Sequence, residues 1–180
     1  MPIQGTGWEL LITRLREDNR NGKRRTVGTY QVFHAGTAVR SLTGVCAETR
    51  GPGDNSKAGN NRRIEAGRYP LRTQDGKNYV TIGYQDSTSL TAIPRPGIDV
   101  GNTNKRVGIL IHPGRGFLSS VGCINPAKAL IGAAADIDFV DSRTRVIALI
   151  DDLKIYLGNS FPAKNGRPIP NASLVVEGEP

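Results

Sequence analysis

Cys123 and His112 are the two residues of this chain best suited to covalent chemistry, and they stand eleven positions apart. His112 ends the run Arg-Val-Gly-Ile-Leu-Ile at 106–111 and enters Pro113-Gly114. Cys123 follows Gly122 and precedes Ile124-Asn125-Pro126. Asn125 as a cap and Pro126 in the first turn predict a helix start just after the thiol. A thiol attacks well only as its thiolate. The unpaired N–H groups and partial positive charge of a helix N-terminus would stabilise that thiolate. An imidazole nearby would take the thiol proton and return it to a leaving amine. Gly122 would let the backbone turn tightly, and the amides of Gly122 and Cys123 would face a developing oxyanion. The pattern fits attack on an amide carbonyl. Taken singly, each residue has a plainer reading, a packed cysteine and a histidine at a strand end; the coincidence points to chemistry.

Other reactive types are sparse. Cys46 reads as a core residue of a strand, and two cysteines do not make a disulfide framework. His34 reads as a strand-end histidine. With two isolated histidines the sequence predicts no metal site, and no cofactor motif is present. Asp99 and Glu48 are both candidates to orient His112 from its far side. Arg115 and Arg63 read either as binders of a substrate carboxylate or as ordinary solvated arginines. Ser119 and Ser120 read either as loop residues or as orienters.

The elements that must position these residues are mostly strands. Alternation at Trp8, Leu10 and Ile12 predicts a first strand. Asn21-Gly22 predicts a hairpin turn, Val27, Tyr30 and Val32 a second strand, and Ala35-Gly36 another turn. Residues 39–47 complete a meander. Residues 50–62, rich in Gly and Asn, read as a loop. Residues 67–73 and 78–84 read as a second hairpin turning at Asp75-Gly76, and 87–105 as a long surface loop. Residues 106–112 read as a buried central strand. Two helices are expected late, over 126–135 and from Asp141-Ser142 to Gly158, with 172–177 as a final edge strand. The sum is a β-rich α+β fold with one or two helices after Cys123. One domain, 1–180, comprises N-terminal strands (1–47), a catalytic core (48–158) and a C-terminal tail (159–180).

Composition narrows the function classes. The formal net charge is +8, which favours polyanionic surroundings without choosing among nucleic acid, anionic lipid and cell envelope. The basic residues are scattered, with small clusters at 23–25 and 62–63, and no aromatic-basic motif or zinc spacing appears, so specific nucleic-acid binding is not expected. The opening residues lack the charged and apolar regions of a secretory signal, and no apolar run approaches the ~20 residues of a membrane span. The expectation is a chain made in the cytoplasm and, if it acts elsewhere, carried there by another route.

Two segments carry a likeness to a known family. Ile111-His112-Pro113-Gly114 and Ser120-Val121-Gly122-Cys123-Ile124-Asn125 resemble the Ile-His-Gly and Ser/Thr-x-Gly-Cys elements of the L,D-transpeptidase (YkuD-type) catalytic domain. Residues 63–69 resemble that family's upstream Thr-Pro-x-Gly-x-Phe/Tyr element, with Glu65 in place of proline. The likeness spans about residues 40–130 and looks most like a small branch of unknown function. It implies an L,D-transpeptidase-like mixed sheet or β-sandwich. It implies Cys123 as acylated nucleophile, His112 as general base and Gly122 and Cys123 amides as the oxyanion hole. Ser120 would shape the loop, Asn125 would stand where relatives carry Arg or Asn, and Tyr69 would lie beneath the site.

The implied substrate is the peptidoglycan stem peptide, cleaved or exchanged at its terminal residue. The His-to-Cys loop is shorter than in cross-linking members and is similar to that of antibacterial toxins delivered by type VI secretion. That likeness implies trimming or exchange, a cognate immunity protein, a secretion-system component and the periplasm of a target bacterium as the place of action. A phage lysis or tail enzyme, and a non-catalytic wall-binding module, are the alternatives.

Overall fold

Asn21 and Gly22 both take left-handed backbone, at φ 53° and 80°. That twist suits a two-residue hairpin, and it joins β1 (Trp8–Arg20) to β2 (Lys23–His34). Ala35 and Gly36, at φ 45° and 84°, make the next turn into β3 (Thr37–Thr49). These three strands form the expected meander in a computed structural model that describes residues 2–180. The remaining elements are β4 (Gly67–Thr73), β5 (Tyr79–Val80), β6 (Arg95–Pro96), β7 (Ile98–Val100), β8 (Leu110–Ile111), β9 (Asn125–Ala127), α1 (Phe139–Leu157) and β10 (Pro168–Glu177).

Eight strands share one sheet in the order β8-β7-β4-β10-β1-β2-β3-β9, while β5 and β6 pair separately. Every neighbouring pair in the large sheet is antiparallel except β1 with β10. The two end strands approach each other through a parallel bridge between Ile111 and Ile124. The sheet therefore nearly closes on itself. Among the described residues the fold is β-rich α+β, with a mixed sheet and one α-helix.

Several expectations are corrected. Residues 172–177 do not lie at an edge: β10 is central, hydrogen-bonded to β1 on one side and β4 on the other. Leu174, Val175 and Val176 are all buried, as a strand covered on both faces requires. The run ending at His112 is not central but forms β8, the last strand of the sheet. The hairpin expected over 67–84 is reduced to one antiparallel bridge across the turn, Asp75 to Val80; β4 itself pairs with β10 and β7, and β5 pairs with β6. The surface loop expected over 87–105 contains β6 and β7.

The helix expected over 126–135 is absent. Residues 125–127 pair with β3 as β9, and Pro126 is tolerated because β9 is an end strand. Beyond it, arginines from the first hairpin hold the carbonyls of a non-helical segment. Arg16 donates to Leu130 O (2.5 Å) and Arg20 to Ala134 O (3.3 Å). Arg25 donates to Gly132 O (3.0 Å) and Ala135 O (2.8 Å).

Helix α1 begins one turn before the expected cap. Asp138, not Asp141, accepts from the Asp141 amide at 2.8 Å, and Gly158 closes the far end as expected. Its buried stripe, Val146, Leu149, Ile150 and Leu153, joins Trp8, Leu10, Ile12, Leu174 and Val176 in one apolar core. Each such side chain contributes about 1.5–3 kcal/mol on burial. Asp152 fastens the helix to the sheet, accepting from Trp8 Nε1 and meeting His34 Nε2, both at 2.7 Å. No helix among the described residues is long and apolar enough to cross a membrane.

Candidate active site

The seam of the sheet brings His112 and Cys123 onto one face. Ile111 and Ile124 are bridged in parallel and both point into the apolar core. Side chains alternate along a strand, so His112, Cys123 and Asn125 project on the opposite face. The bridge is closed by His112 N–H to Ile124 O (3.1 Å) and Ile124 N–H to Leu110 O (2.8 Å). That register sets Cys123 beside Leu110 and Asn125 beside His112. Cys123 and His112 are thus diagonal neighbours, about 8 Å apart at Cα from strand spacing and rise.

The histidine is fixed from behind. Its ring is buried, and Nδ1 lies 2.8 Å from Pro113 O. A carbonyl only accepts, so Nδ1 carries the proton and Nε2 keeps its lone pair. Neither Asp99 nor Glu48 orients it: Glu48 is bound by Arg14, and Asp99 lies beside Arg72. Tyr79 packs on the imidazole with ring centroids 4.5 Å apart. Burial, reinforced by the nearby Arg95 charge, lowers the His112 pKa to about 4. The imidazole is therefore neutral at physiological pH and able to accept a proton.

Asn125 and Ser120 brace the seam. Asn125 is fully buried, and its Nδ2 donates to His112 O at 2.9 Å. Ser120 Oγ donates to Cys123 O at 2.9 Å and lies 3.3 Å from Asn125 Oδ1. Gly114 is required here, since a Cβ on it would lie 2.7 Å from Asn125 Cβ. Ser142 of α1 ties the same spot together: its Oγ accepts from Gly114 N–H (2.9 Å) and donates to Pro126 O (2.6 Å). Sequence reasoning missed Ser142 as anything beyond a helix cap.

The thiol is partly exposed. Its Sγ accepts from Leu110 N–H at 3.3 Å and lies 3.5 Å from Gly108 O. Burial raises its pKa, with Asp99 adding to the rise and Arg106 and the Leu110 amide opposing it. The expected helix-stabilised thiolate is corrected, because β9 and not a helix follows Cys123. The thiol rests protonated, and any activation falls to His112. The Gly122 and Cys123 amides donate to no acceptor among the described residues. Gly122 also leaves room for a buried cation, since a Cβ there would lie 2.2 Å from Arg106 Nη2. Arg106 in turn binds the carbonyls of Val121 (3.0 Å) and Arg62 (2.6 Å) and so holds the loop before the thiol.

The other expected site residues separate. Tyr69 is a core residue of β4, its hydroxyl donating to Glu65 O (2.6 Å) and accepting from Asn55 Nδ2 (3.0 Å). Arg63 is fully buried and bonded to Glu179 (2.7 Å) and Glu17 (3.3 Å), so a substrate carboxylate would have to displace the chain's own. Arg115 is exposed and lines a cavity together with Pro113, Gly114 and Tyr79, whose ring packs on His112. Cys46 is buried in the core, and burial pushes its thiol far up. Among the described residues, no group of three or more His, Cys, Asp or Glu side chains could hold a metal ion. Comparison with protein-family models, with curated proteins and with solved structures finds no match to this chain.

Proposed function

We propose that this chain is a cysteine-dependent peptidoglycan amidase-exchanger, an L,D-carboxypeptidase or L,D-transpeptidase acting on the terminal residue of tetrapeptide stems. The observation that carries the reading is the seam itself. A partly exposed thiol and a neutral imidazole share one face of closing strands, with Nδ1 of the imidazole tied to Pro113 O. The motif likeness around Ile111–Gly114 and Ser120–Asn125 supplies the substrate class.

In this mechanism His112 Nε2 takes the proton of Cys123 as Sγ attacks the stem carbonyl. The amides of Gly122 and Cys123 receive the oxyanion. Collapse breaks the C–N bond, and the imidazolium returns its proton to the leaving amine. A thioester on Cys123 remains. Water then completes trimming, or an amine completes exchange. The His112 pKa of about 4 keeps the base unprotonated before attack, and neutral thiol and neutral imidazole form the resting pair. The likeness to short-loop toxins extends the proposal to an antibacterial effector in the periplasm of a target cell, with an immunity protein as partner.

Purified muropeptides test the reading. Wild type is expected to shorten or exchange tetrapeptide stems, Cys123→Ala to leave them intact, and His112→Ala to act about 10²–10⁴-fold more slowly. Intact stems with wild type, or activity in Cys123→Ala equal to wild type, would refute it.

A further inference from the structure

We propose that the cavity walled by Arg95 and Arg115 is the subsite for the free carboxylate of the leaving residue, and that Arg95 sets this specificity. The inference rests on the acyl-transfer reading above and deepens it.

The group that protonates a leaving amine must face it, so the leaving residue lies on the histidine's side of the seam. The carboxylate of a terminal amino acid is two bonds from that amine. The recess on this side is a cavity of about 220 Å³ beside Pro113 and Gly114. At roughly 30 Å³ per water it has the room of about seven waters, which suits one amino acid and not a glycan strand.

Tyr79, Arg95, Arg115 and Ser119 line the cavity, and among the described residues no Asp or Glu does. Arg95 is one ring away from the base: its guanidinium carbon lies 5.7 Å from the Tyr79 ring centroid, and Tyr79 packs on His112. Its own bonds run to Leu90 O and, at 3.4 Å, to Tyr79 Oη, both uncharged groups. Arg95 Nε is buried with no partner, a destabilising arrangement that calls for a reason. Arg63 Nε is buried without a partner too, but the Arg63 guanidinium, like that of Arg14, is bound to a carboxylate through its other nitrogens, and that of Arg95 is not. A carboxylate is what a planar guanidinium binds most strongly, and this pair has none of its own.

The test separates binding from turnover by using Cys123→Ala as the background. A tetrapeptide stem with a free terminal carboxylate and its C-terminal amide are titrated in parallel by calorimetry. The acid is expected to bind at least about tenfold more tightly than the amide. Arg95→Gln and Arg115→Gln, each added to that background, should cut the preference to about twofold or less while leaving the amide's affinity unchanged. Arg95→Lys retains the charge without the fork and should keep only part of the preference. Equal affinity for acid and amide, no measurable binding of the acid, or a preference that survives both substitutions overturns the inference. Turnover by wild type is measured separately. A protein that prefers the acid but never cleaves it would sink the acyl-transfer reading and leave the carboxylate subsite standing.

Discussion

At the scale of the residue, the chemistry turns on how His112 is held. The ring is buried and neutral because its surroundings penalise the cation, not because a carboxylate steers it. This has a sign that can be measured. Above pH 6.5 the ring is neutral in both folded and unfolded chains. As pH falls from 6.5 toward about 4, the unfolded chain takes up a proton that the folded one refuses, so stability is lost across that window. The full effect is about 3 kcal/mol. Urea unfolding of wild type and His112→Asn should show the wild type losing that much more stability between pH 7 and 4; a gap that is constant with pH would contradict it.

The thiol carries the complementary prediction. Burial raises the Cys123 pKa, so its alkylation by iodoacetamide should reach half-maximal rate above the pH of about 8.5 that free cysteine requires. Half-maximal reaction below that pH would mean a preformed thiolate, contrary to the geometry.

At the scale of the element, the two site residues are positioned by a seam and clamped by a helix. Ser142, fully buried on α1, joins Gly114, two residues past His112, to Pro126, just past Asn125. Ser142→Ala leaves a buried amide and a buried carbonyl without their partner, which costs about 1–3 kcal/mol. The expected result is a lower urea midpoint together with a loss of activity larger than the change in folded fraction explains. Unaltered stability would show that the clamp carries no weight.

Elements were unevenly legible in the sequence. The Asn21-Gly22 and Ala35-Gly36 turns were readable because positive φ is a local demand that few residues meet. The His112 strand end and Gly158 helix stop were readable for similar local reasons. The helix expected after Cys123 was not realised: its first residues pair with β3 as β9, and the segment beyond is held non-helical against Arg16, Arg20 and Arg25. Those arginines are more than a hundred positions away, and no local pattern announces them. The same distance hid the place of β10: its apolar run shows burial, but only the pairing with β1 shows that it is central.

At the scale of the molecule, closure of the sheet makes the site, since it brings together β8 and β9, the opposite ends of the strand order. The basic composition also changes meaning. Of the excess that gives a formal net charge of +8, a share is structural: Arg14, Arg25, Arg63, Arg106 and Arg143 are buried. Arg25 belongs to the Lys23–Arg25 cluster yet is wholly enclosed, with Asp18 at 3.1 Å. Arg95 and Arg115 beside the seam are cations without a carboxylate of their own among the described residues, and they stand where a leaving residue would.

The central claim is that Cys123 becomes acylated by a stem peptide. Intact-mass spectrometry after brief mixing with a tetrapeptide stem tests it directly. Wild type and Cys46→Ala should both gain the mass of the tripeptide fragment less one water, on the peptide containing Cys123, and Cys123→Ala should gain nothing. No adduct on wild type, or an adduct that persists in Cys123→Ala, would contradict the account.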